Sequence, residues 1–183
     1  HTGTFGKLGI FSFNGNKTIT TGGGGMIITD DDELGKLAKH ITTTAKVPHP
    51  WEFVHDMTGY NYRLPNVNAA LGCAQMEQLP QILANKRETA RLYQEFFAGM
   101  DGVTYIPEPR DCVSNYWLNV VLMWDRKIRD DFLKQSNTSK VMTRPAWTLM
   151  NKLSMFSKAI AGSLEISEDI ESCLVNIPSS VRK

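Results

Sequence analysis

The sequence has few of the features that define several classes of protein. Its three cysteines, Cys73, Cys112 and Cys173, are an odd number at wide spacing, with no CxxC pair and no cysteine–histidine cluster, so neither a disulfide framework nor a zinc site is predicted. No apolar run approaches the roughly 18 residues that a membrane helix needs, and no basic-then-apolar leader is present. We therefore expect reduced thiols, no bound metal, no membrane association and a cytoplasmic location.

An excess of charge of one sign is also absent. Lys and Arg number 20 against 19 Asp and Glu, which leaves a formal net charge of +1. Such a chain has no basic field to attract nucleic acid or an acidic membrane surface. The hydrophobic content of 42% is typical of a globular protein that buries a core, in one large domain or two small ones.

Apolar periodicity and turn residues predict an α/β fold. In the first hundred residues we expect short strands at 10–13 and 26–29, followed by a helix over about 30–42. A long ordered loop at 45–64 should follow, and then two more helices, one that begins at residue 65 and one at 81–100. Pro80 should break or kink the chain between the last two helices. The buried side of the final helix is expected to comprise Ile82, Leu83, Leu92, Phe96 and Phe97.

The remaining residues also alternate between strands and helices. We expect strands at 103–106, 116–123 and 141–143, a helix near 128–135, two further helices, and a last strand at 175–177. This change of pattern places a domain boundary after residue 100, so that residues 1–100 and 101–183 form separate domains.

The residues that carry chemistry cluster between the first two strands. Alternation along the first strand puts Ser12 on the face opposite Phe11 and Phe13, where its hydroxyl can contact an oxyanion. Lys17 follows and precedes a run of glycines at 22–25. A lysine beside such a loop is either a counter-charge for phosphate or a Schiff-base nucleophile, and local spacing does not decide between them. The alternative is a solvated turn residue in a hairpin closed by glycines.

A nucleotide-binding P-loop does not fit this segment. That motif reads GxxxxGK[ST], with the lysine directly after the last glycine. Lys17 instead precedes its glycines, and only Gly15 stands shortly before it.

Several motifs together resemble a known family. They are HTGTFG at 1–6, FSF at 11–13 followed by Lys17, GGGGM at 22–26, and GYNYRL at 59–64 leading to Ala69, Ala70, Gln75, Gln78 and Leu79. The chain is similar in these motifs to the DegT/DnrJ/EryC1/StrS sugar aminotransferases, which are pyridoxal 5'-phosphate (PLP) enzymes. The resemblance implies the fold type I, aspartate aminotransferase fold. Residues 1–100 would then be the remnant of the PLP-binding large domain with its linking helix, and residues 101–183 the small C-terminal α/β domain.

The resemblance also implies a role for each matched residue. Lys17 would hold the cofactor covalently and shuttle a proton between cofactor and substrate. Ser12 would bind the cofactor phosphate. Asn61 would reach the phosphate of the neighbouring subunit, so the active site would be shared across a homodimer, and Arg63 would support Asn61. Without the resemblance, Asn61 and Arg63 would be interpreted as a loop cap and a surface ion pair.

Further candidates concern the substrate. The TRPAW motif at 143–147 looks most like the branch that acts on nucleotide-linked 4-keto-6-deoxy-N-acetylhexosamines. Arg144 is a candidate to pair with a diphosphate and Trp147 to pack against a ring. The alternatives are an arginine paired with a local carboxylate and a tryptophan in the small-domain core. Many relatives carry histidine where this sequence has Asn151. His1 is expected near the site, and the other histidines in surface or loop positions.

The predicted function is transfer of an amino group from an amino acid such as L-glutamate to a nucleotide-linked keto-deoxy sugar, specifically a UDP-4-keto-6-deoxy-N-acetylhexosamine. Family members carry upstream of the lysine an aspartate, a stacking aromatic and a helix N-terminus for the cofactor, and this chain lacks them. We therefore expect little activity from the chain alone. Two alternatives stay open: a PLP-dependent sugar dehydratase, which carries histidine in place of the lysine, and a non-catalytic dimerisation or substrate-binding module.

Overall fold

A computed structural model describes residues 1–182, which form two compact units, one of residues 1–80 and one of residues 81–182. The first unit contains an antiparallel strand pair, β1 (Gly9–Ser12) and β2 (Gly25–Ile28), followed by helices α1 (Asp32–Thr42) and α2 (Asn66–Glu77). Ile10 lies opposite Ile27 in the strand pair. A short 3₁₀ turn, Thr2–Thr4, precedes β1.

Helix α1 begins where the acidic run predicts it. The Asp31 carboxylate accepts hydrogen bonds from the backbone N–H groups of Glu33 and Leu34, both at 3.0 Å. These bonds satisfy two of the donors that a helix leaves unpaired in its first turn. Asp32 and Glu33 add negative charge at the positive end of the helix dipole.

Pro80 does not separate two helices by itself. Helix α2 ends at Glu77, and helix α3 (Leu79–Phe97) begins at Leu79, so Pro80 lies in the first turn of α3. Proline is tolerated there because the first turn leaves its backbone N–H groups unpaired in any helix. The expected break therefore coincides with a helix start.

The second unit is a four-stranded antiparallel sheet with helices. Its strands are β3 (Val103–Tyr105), β4 (Asn119–Met123), β5 (Arg144–Pro145) and β6 (Leu174–Ile177), in the order β3-β4-β6-β5. Helices α4 (Arg126–Thr138) and α5 (Glu165–Cys173) pack with it. The core comprises Ala90, Tyr105, Tyr116, Val121, Met123, Val175 and Ile177.

Three expectations for these elements were wrong. The strand predicted at 141–143 is the two-residue β5 at Arg144–Pro145, because Thr143 turns inward to bond with Ser136 and Asn137 of α4. The two helices predicted before β6 are α5 and two single 3₁₀ turns, Met150–Lys152 and Ser154–Phe156.

The buried side predicted for α3 was wrong at two of its five positions. Phe96 is 65% exposed and Leu92 39% exposed. The face that meets the core carries Ala90, with Tyr93 and Phe97 packed against it. Of the predicted residues, Phe97 therefore lies on this face, and Ile82 and Leu83 are half-buried.

The segment after β6 is fixed to α3 by polar contacts. The buried Lys86 ammonium donates to the carbonyl of Ser179, and burial lowers the pKa of this lysine. Asn85 and Arg182 exchange two hydrogen bonds of 3.0 and 2.8 Å. Tyr93 donates to the carbonyl of Pro178 at 2.9 Å. Residues 178–182 are therefore a folded part of the second unit.

Candidate functional site

The hairpin between β1 and β2 positions the predicted catalytic residues. Ser12 is the last residue of β1, its side chain is exposed, and its hydroxyl accepts a 3.4 Å bond from the backbone N–H of Asn14. Lys17 is half-buried and closes a turn whose backbone bond runs from Lys17 N–H to the Asn14 carbonyl at 3.0 Å. The structure therefore places the serine hydroxyl and the lysine on one short loop.

The base of this loop is held by backbone and side-chain bonds. Thr21 N–H donates to the carbonyl of Phe13, and Phe13 N–H to that of Gly24, both at 3.0 Å. From α2, the Gln75 side chain accepts from the backbone N–H of Thr20 at 3.4 Å, and Asn68 donates to the carbonyl of Thr21. Sequence reasoning did not single out Asn68, although its position two residues after Asn66 in the first turns of α2 aims it at the loop.

Glycines are required in the second half of the loop. Gly22 and Gly24 have φ values of 81° and 95°, in the left-handed region that side chains disfavour. A Cβ on Gly24 would lie 2.7 Å from Cδ1 of Leu64, and one on Gly25 would lie 2.5 Å from the Phe11 carbonyl oxygen. The glycine run thus lets the hairpin approach the segment that carries Asn61 and Arg63.

Asn61 and Arg63 form a joined pair. Arg63 Nη1 donates to Asn61 Oδ1 at 3.0 Å, and Arg63 Nη2 donates to the Thr43 carbonyl at 3.0 Å. Thr43 and Asn61 also form an isolated antiparallel bridge, and Tyr62 N–H bonds to the Thr42 carbonyl at 2.9 Å. Both side chains are exposed, so the segment presents polar groups from a braced backbone.

A cavity of about 840 Å³ lies within the first unit. It is bordered by Phe11 and Gly25 of the strand pair, Lys39 of α1, and Arg63 and Asn68. Of the predicted site residues, Arg63 lines this cavity, whereas Ser12, Lys17 and Asn61 lie outside its lining. His1 is exposed at the start of the 3₁₀ turn, where its carbonyl accepts a 2.8 Å bond from Thr4 Oγ1.

The predicted substrate residues belong to the second unit. Trp147 is 68% exposed and stacks against Trp117 with ring centroids 6.4 Å apart, so it is not a core residue. Arg144 is exposed, with its Nη2 3.7 Å from the sulfur of Met142. No carboxylate within residues 1–182 forms an ion pair with Arg144, so the alternative of a local carboxylate partner is wrong. The guanidinium retains donors for a ligand.

Residues 1–182 contain no group of three or more His, Cys, Asp or Glu side chains placed to hold a metal ion. No helix in the same range combines the length and apolar character that a bilayer span requires.

The lysine loop, the braced Asn61–Arg63 segment and the α/β arrangement are features of one class of protein. The chain belongs to the DegT/DnrJ/EryC1/StrS aminotransferase family, whose model matches residues 1–182. Aminotransferases of this family use PLP. The family assignment and the prediction of an α/β fragment of the PLP-dependent transferase fold are thereby confirmed.

Individual relatives make the likeness more specific. The chain is 34% identical over 179 residues to the GDP-perosamine synthase of Escherichia coli O157:H7, covering 98% of this chain and 48% of that protein. It is 28% identical over 193 residues to the GDP-4-keto-6-deoxy-D-mannose 3-dehydratase of Yersinia pseudotuberculosis, covering 92% and 48%. The crystal structure of the aminotransferase TlmJ from Streptoalloteichus hindustanus matches with a TM-score of 0.89 at 27% identity, covering 97% and 48%. The chain thus spans about half the length of these relatives.

The donor groups of the first unit fit a phosphorylated cofactor. The Ser12 hydroxyl and the Asn61 amide can donate to phosphate oxygens, and the Lys17 amine can hold an aldehyde. Next to Lys17, the Thr18 hydroxyl is buried and has no hydrogen-bond partner among residues 1–182. Because buried hydroxyls are rarely left unpaired, this one marks a place where a polar ligand atom would be accepted.

Proposed function

We propose that this chain supplies the lysine-bearing half of a PLP-dependent aminotransferase that acts on a nucleotide-linked keto-deoxy sugar. The observation that supports this proposal most directly is the position of Lys17 on the hairpin loop of a member of this aminotransferase family. An amino acid such as L-glutamate would donate the amino group. When bound, PLP would act as the electron sink for this chemistry.

The chain's own residues would bind, orient and move a proton. Lys17 would hold the cofactor through its amine and, once released, carry a proton at Nζ between the cofactor and the substrate carbon. Ser12 would contact the phosphate from the same loop. Asn61, supported by Arg63, would donate to the phosphate in the partner subunit of a homodimer. Residues 1–100 and 101–183 would serve as remnant large domain and small domain, in a cytoplasmic enzyme.

The sugar is proposed at two levels of detail. A 4-keto-6-deoxy sugar on a nucleoside diphosphate is supported by the family and by relatives whose names specify GDP-linked sugars. The finer choice is a UDP-linked 4-keto-6-deoxy-N-acetylhexosamine, which rests on the TRPAW motif at 143–147. In either case Arg144 would pair with the diphosphate and Trp147 would pack against a ring, with His1 near the sugar.

A dehydratase is the second enzymatic candidate, because one relative is a 3-dehydratase. The residue at position 17 distinguishes the two. Dehydratases of the family carry histidine there, which can move protons without holding the cofactor, whereas the amine of Lys17 can do both. We therefore favour transamination. A non-catalytic role would leave Lys17 dispensable.

The test uses a full-length polypeptide that contains this chain. Borohydride reduction after addition of PLP should label the peptide that contains Lys17, and a panel of UDP- and GDP-linked keto sugars should reveal amino product with glutamate. Lys17→Ala should abolish both results, whereas Lys7→Ala, which changes an exposed lysine before β1, should abolish neither. An unlabelled Lys17 in an enzyme that still transaminates would disprove the proposal.

A further inference from the structure

Two consecutive residues after α1 have an unusual backbone conformation. Thr44 and Ala45 have φ values of 72° and 50°, in the left-handed region that glycine and asparagine normally fill. Thr44 is β-branched and Ala45 also carries a Cβ, so neither residue type favours this conformation. Ala45 is fully buried. Such a turn persists only when its surroundings hold it, and strained turns of this kind concentrate at functional sites.

Residues 55–59 hold the turn from one side. His55 Nδ1 lies 2.7 Å from the Thr44 carbonyl, and Asp56 N–H donates to the Ala45 carbonyl at 3.3 Å. Because a carbonyl only accepts, the His55 ring is the donor. Gly59 lies so close that a Cβ there would be 2.5 Å from the carbonyl carbon of Thr44. Backbone and side chains together therefore fix the turn.

His40 and Asp56 join this turn to α1. The His40 ring nitrogen Nε2 lies 2.6 Å from Asp56 Oδ1, and the carbonyl of His40 accepts a 2.8 Å bond from Ala45 N–H. The side chains are 28% and 50% exposed. The hydrogen bond from His40 lowers the pKa of Asp56, as expected for a carboxylate held by a donor.

The same turn carries the Asn61 segment. Thr44 N–H donates to the Tyr60 carbonyl at 3.0 Å, and Tyr60 N–H donates to the Ile41 carbonyl at 2.7 Å. Thr43 bridges to Asn61 and accepts from Arg63 at 3.0 Å. A shift of residues 43–45 would therefore move the Asn61 amide, because every one of these bonds connects the two segments directly.

We propose that His40 and Asp56 are positioning residues that hold the Asn61 amide in place to bind a phosphate monoester. The inference rests on the proposed function, which assigns Asn61 to the cofactor phosphate. Neither His40 nor Asp56 touches the ligand. They act through the left-handed turn at Thr44 and Ala45, which their hydrogen bond ties to the end of α1.

The test compares two probes in a full-length protein containing this chain: PLP, and pyridoxal, which has the same aldehyde but no phosphate. Asp56→Ala should weaken PLP binding by roughly threefold to tenfold, the effect of losing a partly exposed charged hydrogen bond, and leave pyridoxal binding unchanged. Asp56→Asn, which keeps an oxygen acceptor of the same shape, should restore most of the affinity. His40→Ala combined with Asp56→Ala should be no worse than either alone.

Glu33→Ala is the matched control, because it breaks an exposed ion pair with Lys36 on the same helix at 2.8 Å without touching residues 43–61. It should leave the ratio of PLP to pyridoxal affinity at the wild-type value. The inference is wrong if Asp56→Ala weakens both probes equally, if Glu33→Ala changes the ratio as much, or if the wild type does not distinguish the probes. Should Asp56→Ala fail to fold, His40→Ala, which removes the donor to the Asp56 carboxylate, gives the same comparison. Borohydride labelling of Lys17 in parallel tests the proposed function separately, since it does not depend on the ratio.

Discussion

Arg63 and Asn61 are joined by a hydrogen bond of 3.0 Å from Nη1 to Oδ1, and this bond determines which end of the amide is available. Because Oδ1 already accepts from the guanidinium, the amide nitrogen is the end left to donate to an anion. The arginine therefore sets the polarity of Asn61 as well as its position.

Replacing Arg63 tests this relationship. Arg63→Lys keeps the charge but cannot span Asn61 and the Thr43 carbonyl with a planar fork, so we expect a PLP affinity lower by a factor of about 5 to 10, close to the loss of one hydrogen bond. Absorbance titration of the full-length protein with PLP measures it. Asn61→Asp should weaken binding further, because a carboxylate would face the phosphate. Unchanged PLP affinity in both variants would contradict the assignment.

Gly59 should tolerate no side chain. In Gly59→Ala the new Cβ would meet backbone atoms of Thr44 and Ala45 at 2.5 and 2.6 Å, and backbone cannot move aside as a flexible side chain can. We expect a loss of about 1–3 kcal/mol in the free energy of unfolding, as for other overpacked sites. Thermal denaturation checks this. Gly15→Ala is the control, since a Cβ at Gly15 has no neighbour within 4 Å; an equal effect of both substitutions would refute the packing argument.

Glu108 should make the second unit sensitive to acid. Arg87 donates to both carboxylate oxygens, at 3.0 and 2.7 Å, and Ser114 N–H donates at 2.6 Å. These bonds lower the pKa of Glu108 from 4.5 to about 2. Because the pKa of Glu108 is lower in the folded chain than in the unfolded chain, the bonds of its carboxylate stabilise the fold fully above pH 4.5. This stabilisation is lost as the pH falls towards 2.

Urea unfolding of the chain at several pH values measures this dependence. Glu108→Gln should flatten the decline between pH 4.5 and 2, because the amide cannot titrate. Glu77→Gln on α2 is the control and should retain the wild-type slope. A Glu108→Gln slope equal to that of the wild type would show that other carboxylates cause the acid sensitivity.

Trp147 should report nucleotide binding. Its exposed ring stacks on Trp117, so a base or sugar ring packed against it should quench fluorescence in a titration with UDP or GDP. We expect Trp147→Phe to remove most of the quenching in the full-length protein. Trp124→Phe, which changes another exposed tryptophan of the same unit, should keep it. Quenching that survives in Trp147→Phe would place the nucleotide elsewhere.

The elements with a clear sequence period could be predicted. Short β-type runs bounded by turn residues predicted β1 and β2, the acidic run predicted the start of α1, and the motif around Asn61 contains a residue pair that the fold joins by a hydrogen bond. The roles of Lys17, Ser12, Asn61, Arg63 and the second-unit residues stay predictions. So does the domain boundary at residue 100.

Other features could not be predicted because they depend on tertiary contacts. Thr44 and Ala45 carry no signal of a left-handed turn, since neither is glycine or asparagine, and the His40–Asp56 contact exists only because that turn reverses the chain. The orientation of α3 likewise depends on which side meets the sheet. Leu92 and Phe96 are as apolar as Tyr93 and Phe97, so composition alone does not separate the two faces.

The polar contacts of residues 178–182 with α3 have a practical consequence for protein engineering. A reporter or affinity tag that replaces residues 178–182 would remove the Ser179 carbonyl, which accepts from the Lys86 ammonium, and would leave a buried cation without its partner. Such a fusion should express poorly. Labelling reagents aimed at amines should likewise reach Lys86 last.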